Sequence, residues 1–134
     1  MEINNPDIIA EVRAMFDRYE AAIAANDSAV LDISFWDDPR VVRYGITEIL
    51  YGIEAIRAFR ASVKSYAARA QKKITITTFG RDFATTNLEF QRLDSGLIGR
   101  ETKIMARIPD QGWRIVSAHV SLLAQTDPGR VAKG

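Results

Sequence analysis

The hydrophobic pattern of this chain changes period once, and that change is its strongest constraint. Up to about Ala70 the apolar residues recur with the spacing of amphipathic helices, apart from one short extended interruption. Beyond Lys73 they recur as in consecutive strands. No internal repeat, low-complexity stretch or linker divides the two halves. A chain of 134 residues is the size of one domain and can bury a proper core. The expectation is a single α+β domain over 1–134, its N-terminal helices packed into the concave face of a strongly curved antiparallel sheet that encloses a small pocket.

The first helix is predicted to open where Asn5 can cap, Pro6 can take the first helical position and Asp7 complements the dipole. Its stripe of Ile8, Val12, Met15, Phe16, Tyr19 and Ile23 runs out at Asn26 and Asp27. Ser28 can cap a second, short helix through Leu31 and Ile33 that closes near Trp36. A turn at Asp37, Asp38 and Pro39 leads to two short strands, VVRYG and ITEILYG. Gly52 then releases a third helix with Ile53, Ile56, Phe59 and Val63 on one face. Four longer strands follow, ITITTFG, FATTNLEFQRL, LIGRETKIMARI and WRIVSAHVSLL, and their short links imply an antiparallel meander. In the last strand Trp113 and Ile115 point one way, Val116 and Val120 the other. One face is therefore expected against the helices and the other against a partner subunit. The tail after about residue 125, with Pro128, Gly129 and Gly134, is expected to fray.

Composition removes several functions. Eighteen basic and 17 acidic residues, net +1, leave no electrostatic footprint for nucleic acid or an anionic membrane. No run approaches the roughly 18 apolar residues of a membrane span, and the opening MEINN is not a secretory signal, so a cytoplasmic location is expected. Without cysteine there are no disulfides, thiolate nucleophiles or cysteine zinc sites. With a single histidine, a metal site would fall to carboxylates alone, and neither metal nor organic cofactor is expected. No glycine-rich phosphate loop, G-x-S-x-G elbow or H-E-x-x-H motif is present.

Chemistry then falls to polar side chains set among apolar ones. Tyr19 lies on the buried stripe of the first helix, either as a core tyrosine with a partner for its hydroxyl or as a proton donor facing a cavity. Arg43 sits inside Val41-Val42-Arg43-Tyr44-Gly45, where a guanidinium needs an anion. That anion is an internal carboxylate such as Glu48, Glu54 or Glu89, or a substrate carboxylate held by the fork. His119, in line with Trp113, Ile115 and Ser117, is either a hydrogen-bonded core residue or a group that orients an anion or moves a proton. Trp36 is either core or a pocket wall. Arg100, Glu101 and Lys103 read as solvent-facing or interface charges, with Arg100 a candidate to point inward.

The stretches FDRYEAAIAAND, LDISFWDD, VVRYGITEILYGIEAIRAFR, ITTFGRDFAT and GWRIVSAHVSLL cover most of 16–123. In that order they resemble the AtzH-like family, in the SnoaL-like branch of the nuclear transport factor 2 superfamily, also met beside oxalurate-catabolism genes. The resemblance implies a homodimer of cone-shaped subunits, each with a pocket between helices and sheet. It also implies a cofactor-free decarboxylating amidohydrolase of cyanuric acid catabolism that takes 1,3-dicarboxyurea to allophanate after an amidase of the same pathway. Its catalytic pair, a helix-one tyrosine and the arginine of R-Y-G, maps onto Tyr19 and Arg43. Trp36 and His119 are then expected as further substrate contacts. A phenol is a poor proton donor near neutral pH, so a guanidinium close to Tyr19 would assist it. Where the family tends to carry a polar, Gln/Ser-rich run ending in an aromatic, this chain has Glu101-Thr102-Lys103-Ile104-Met105. Alternate residues there should line the pocket or the dimer face.

Three readings follow. The first is an enzyme that cleaves a small ureido or carbamoyl carboxylate with loss of CO2. The second is a non-catalytic anion-binding or accessory subunit serving a neighbouring amidase. The third is a ketosteroid-isomerase-like proton-transfer enzyme, for which Glu48 or Asp32 would have to be the base.

Overall fold

A computed structural model describes residues 1–124, so the expectation of a frayed tail after about residue 125 lies outside the described residues. Helix α1 (Pro6–Ala25) opens as the sequence predicts: the Asn5 side chain accepts from the Asp7 and Ile8 amides, with Pro6 at the first position. It closes on Asn26 in the left-handed region, φ 49°. Helix α2 (Ser28–Ser34) is capped by Asp27, not Ser28; the Asp27 carboxylate accepts the Val30 amide, and a negative charge suits that end of a helix. Ile33 is half exposed, so α2 buries Leu31 and Ser34 instead.

Short strands β1 (Val42–Tyr44) and β2 (Ile49–Tyr51) precede α3 (Ile53–Ser62). Long strands β3 (Arg69–Phe79), β4 (Phe83–Arg92), β5 (Ile98–Ile108) and β6 (Gly112–Leu122) then form the meander. The sheet runs β2-β1-β6-β5-β4-β3, antiparallel except for the β1–β6 pair, and β2 and β3 are its open edges. β3 begins five residues before the predicted Ile74 because its first half is polar. Lysines at 72 and 73 suit an edge strand that must not recruit another. No helix among the described residues is long and apolar enough to cross a membrane.

The α1 stripe, extended by Ala22, is buried against the concave face. It meets Ala84, Met105, Trp113, Ile115 and Ala118 in the main core, with Phe16, Leu88, Phe90 and Val120 in a second cluster. Each large apolar side chain so buried contributes roughly 1.5–3 kcal/mol.

One irregularity decides what faces inward. Ile104 pairs with Ser117 but Met105 pairs with Ile115, so Val116 is an extra residue in β6. Trp113 and Ile115 face the core before the bulge, and Ala118 and Val120 face it after. Val120 therefore lies on the same side as Ile115, contrary to simple alternation. A second register shift between Gln71 and Lys73 bends the far edge.

Candidate active site

Tyr19 and Arg43 line one cavity of about 240 Å³ between the helices and the open end of the sheet. Tyr19 reaches it from α1 because position 19 continues the buried stripe of Met15 and Phe16, and it is 2% exposed. Arg43 reaches it as the inward residue of β1, between two outward neighbours. Its Nη1 donates to Glu48 Oε1 at 2.5 Å, and its guanidinium lies 5.0 Å from the Phe59 ring centroid. Gly45 makes this pair possible, since a Cβ there would sit 1.6 Å from Glu48 Oε1. Thr47 donates to Glu48 from its hydroxyl and its amide. Burial works against the Glu48 charge, but Thr47 and Arg43 hold its carboxyl below the usual range.

The guanidinium in contact with Tyr19 is that of Arg60, a residue that helical periodicity alone did not single out. Arg60 is 1% exposed and shares the buried face of α3 with Ile53 and Ile56, one turn after Ile56. Its Nη2 donates to Tyr19 Oη at 2.5 Å and its Nη1 to Tyr66 Oη at 2.7 Å. Four aromatic rings surround it, those of Tyr19, Phe35, Phe59 and Tyr66. Burial opposes its charge, and the phenol oxygens with Glu101 more than offset that. Phe59 and Val63, predicted on the core face of α3, instead line the cavity beside it.

Beneath Tyr19 lies a group of buried charges that the sequence presented as surface. Glu101 and Lys103 both face inward from β5, 8% and 1% exposed. Lys103 Nζ is 2.7 Å from Glu101 Oε1 and 3.9 Å from the centroid of the Tyr19 ring. Arg69 donates to both oxygens of Glu20 at 2.9 and 2.6 Å. Its guanidinium stacks 4.5 Å from the Phe90 ring, which covers Gly99. Burial pushes the Glu101 carboxyl up, but Lys103, Arg69 and Arg43 together hold it below its ordinary value, so it is ionised. Arg100 points outward and bonds Ser121.

These charges balance in pairs: Arg43 with Glu48, Arg69 with Glu20, Lys103 with Glu101, and at the rim Arg92 with Asp94. Arg60 makes no ion pair among the described residues. It is a buried cation with two phenols for partners, on the wall of a cavity. Neutral phenols and the more distant Glu101 offset its burial, but no carboxylate among the described residues touches it. An anion in the cavity would supply the direct ion pair it lacks.

Trp36 and His119 do not line this cavity. Trp36 is held just past the end of α2 by the hydrogen bond its backbone N–H donates to the Ile115 carbonyl, 2.9 Å, with Arg40 stacked on its ring. His119 is exposed on the outer face of the sheet against Tyr44, ring centroids 5.5 Å apart, because the Val116 bulge reverses which residues of β6 face inward. Asp32 is likewise away from the cavity, and Glu48 is held ionised by Arg43; neither is placed as a free base. No cluster of metal-binding side chains occurs among the described residues.

A family model described as AtzH-like matches residues 1–126. A protein of unknown function from the DUF3225 family of Pectobacterium atrosepticum is 50% identical, covers 91% of this chain and 95% of its own, and superposes with a TM-score of 0.87. A cystatin-like fold protein from Burkholderia xenovorans is 46% identical over 93% of this chain and 98% of its own, with a TM-score of 0.89. A nuclear transport factor 2-like protein from Salmonella enterica, 26% identical over 92% and 96% of the two chains, has a TM-score of 0.72. No curated protein shows significant similarity to the sequence.

Proposed function

The chain belongs to the AtzH-like family, with a nuclear transport factor 2-like fold, and we propose that its cavity removes one carboxylate from a small ureido dicarboxylate, converting 1,3-dicarboxyurea to allophanate and CO2. The observation that carries this reading is Arg60: a buried cation with no ion pair among the described residues, bonded to Tyr19 in the cavity that Arg43 also lines. At about 240 Å³ the cavity falls below the roughly 300–1,000 Å³ of sites for drug-sized ligands, which favours a small metabolite.

The chemistry needs one proton. The N–C bond to the departing carboxylate breaks, its electron pair stays on nitrogen, and nitrogen takes a proton as CO2 leaves. Because Arg60 donates to Tyr19 Oη, the phenol hydrogen remains available for that nitrogen. The phenolate left behind keeps the Arg60 bond, now between opposite charges, and recovers its proton from water. Arg43 holds a substrate carboxylate with the N–H groups that Glu48 does not occupy. A proton donor placed in this way contributes on the order of 10²–10⁴ in rate. In the same proposal the protein works as a homodimer downstream of an amidase that supplies the dicarboxylate.

A second reading, an anion-binding or accessory subunit without turnover, draws support from β5, where Glu101 and Lys103 place an ion pair against Tyr19. The two separate on CO2 release from 1,3-dicarboxyurea generated in situ by an amidase, with wild type against Tyr19→Phe. Release above the spontaneous rate that disappears in the variant supports the enzyme. Release no faster than background from wild type leaves the binding reading, and an unaffected variant removes Tyr19 as donor.

A further inference from the structure

Glu101 is a second anomaly of the same cavity, and the proton-transfer scheme does not use it. The wall carries four arginines, at 43, 60, 69 and 92, and one glutamate. An ionised carboxylate in a site for anions repels the ligand unless a hydrogen-bond donor lies between them. Glu101 is more than nine-tenths buried, and the one side chain within hydrogen-bond distance of its carboxylate among the described residues is Lys103, whose ammonium is 2.7 Å from Oε1. The ammonium neutralises the charge and takes one acceptor site, and a carboxylate offers about four, so acceptor capacity is left over for a donor in the cavity. Strand β5 is held on both sides, Glu101 pairing with Leu88 of β4 and Val120 of β6, so the carboxylate cannot swing out of the cavity wall.

We propose that Glu101 is the specificity-determining residue of this cavity, accepting an N–H of the ligand and so selecting ureido or amide carboxylates over carboxylates that carry CH2 at the same position. The inference rests on the reading of the cavity as an anion site. It deepens that reading by assigning the opposite poles of the ligand: carboxylate to the arginine side, N–H to Glu101. A ligand with both gains a charge-assisted hydrogen bond. One with CH2 in place of N–H meets the carboxylate with no donor and buries it unpaired. A hydrogen bond to a charged group corresponds to a preference of about 10- to 100-fold.

N-Carbamoylglycine and levulinate form a matched pair for the test. They have the same number of heavy atoms and the same single carboxylate, and they differ by NH2 for CH3 and NH for CH2. Binding of each is measured by calorimetry to the wild type, to Glu101→Gln, and to the doubly substituted Glu101→Leu, Lys103→Met. The double variant removes the carboxylate and its ammonium together, so no buried charge is stranded. Wild type should prefer N-carbamoylglycine by about 10- to 100-fold, Glu101→Gln should keep part of that preference, and the double variant should bind both ligands alike. Equal affinity of wild type for the two ligands, or a preference unchanged in the double variant, overturns the role of Glu101 and leaves the anion site standing. Failure of both ligands to bind wild type overturns the anion site and the role of Glu101 together.

Discussion

Arg60→Met separates stability from turnover more sharply than any other single change in this cavity. The guanidinium donates two charge-assisted hydrogen bonds, at 2.5 and 2.7 Å, to Tyr19 and Tyr66. Such bonds contribute about 1.5–3 kcal/mol each, so their loss costs about 3–6 kcal/mol. The variant also escapes the desolvation of a buried guanidinium, several kcal/mol in the opposite direction. Methionine is flexible enough to occupy the space among the four rings. The two terms nearly cancel, and unfolding in urea should shift by no more than about 2 kcal/mol. Turnover has no such offset, because the phenolate that forms as Tyr19 gives up its proton loses the cation bonded to its oxygen. CO2 release should fall by about 10²–10³. If Arg60 acts through the phenol, combining Arg60→Met with Tyr19→Phe should leave activity within about threefold of Tyr19→Phe alone. Wild-type turnover in Arg60→Met would refute the argument, and so would losses that simply multiply in the double variant.

Two further changes test the walls of the site. The Glu48 carboxyl is held below its ordinary value of 4.5, so the stability it adds is present above that pH and is lost as pH falls through the lower folded value. The melting-temperature gap between wild type and Glu48→Gln should thus be full at neutral pH and close in acid; a gap that persists unchanged at about pH 3 would contradict the Arg43–Glu48 pairing. In Gly99→Ala the new Cβ would meet the Phe90 ring at 2.1–2.5 Å, beneath the stacked Arg69. That overpacking should cost about 1–3 kcal/mol in urea unfolding, and an unaltered midpoint would mean the ring moves freely.

Tyr19 and Arg43 were legible in the sequence because each breaks its local pattern: a polar tip on an otherwise apolar helical stripe, a cation between Val42 and Tyr44 in a short strand. Arg60 breaks no pattern that a single residue displays. It continues the face of Ile53 and Ile56 with the i, i+3, i+7 spacing, but an arginine near the end of a helix reads equally well as a dipole complement on the surface. His119 failed for a different reason. The alternation that aligned it with Trp113 and Ile115 holds only while the register holds, and the extra residue at Val116 turns it outward. Neither its neighbours nor its own type announces the bulge, which shows only in pairing with β5. Glu101 and Lys103 failed for a third. Each alone reads as solvated, and burial becomes affordable only for the two together with Glu20 and Arg69, contributed by two other elements. The charges that shape this cavity compensate one another across the fold, so a sequence read element by element sees each as surface. The exception is a cation with no carboxylate partner among the described residues, and Arg60 is that case: a guanidinium buried on a cavity wall without an ion pair is what points to a ligand.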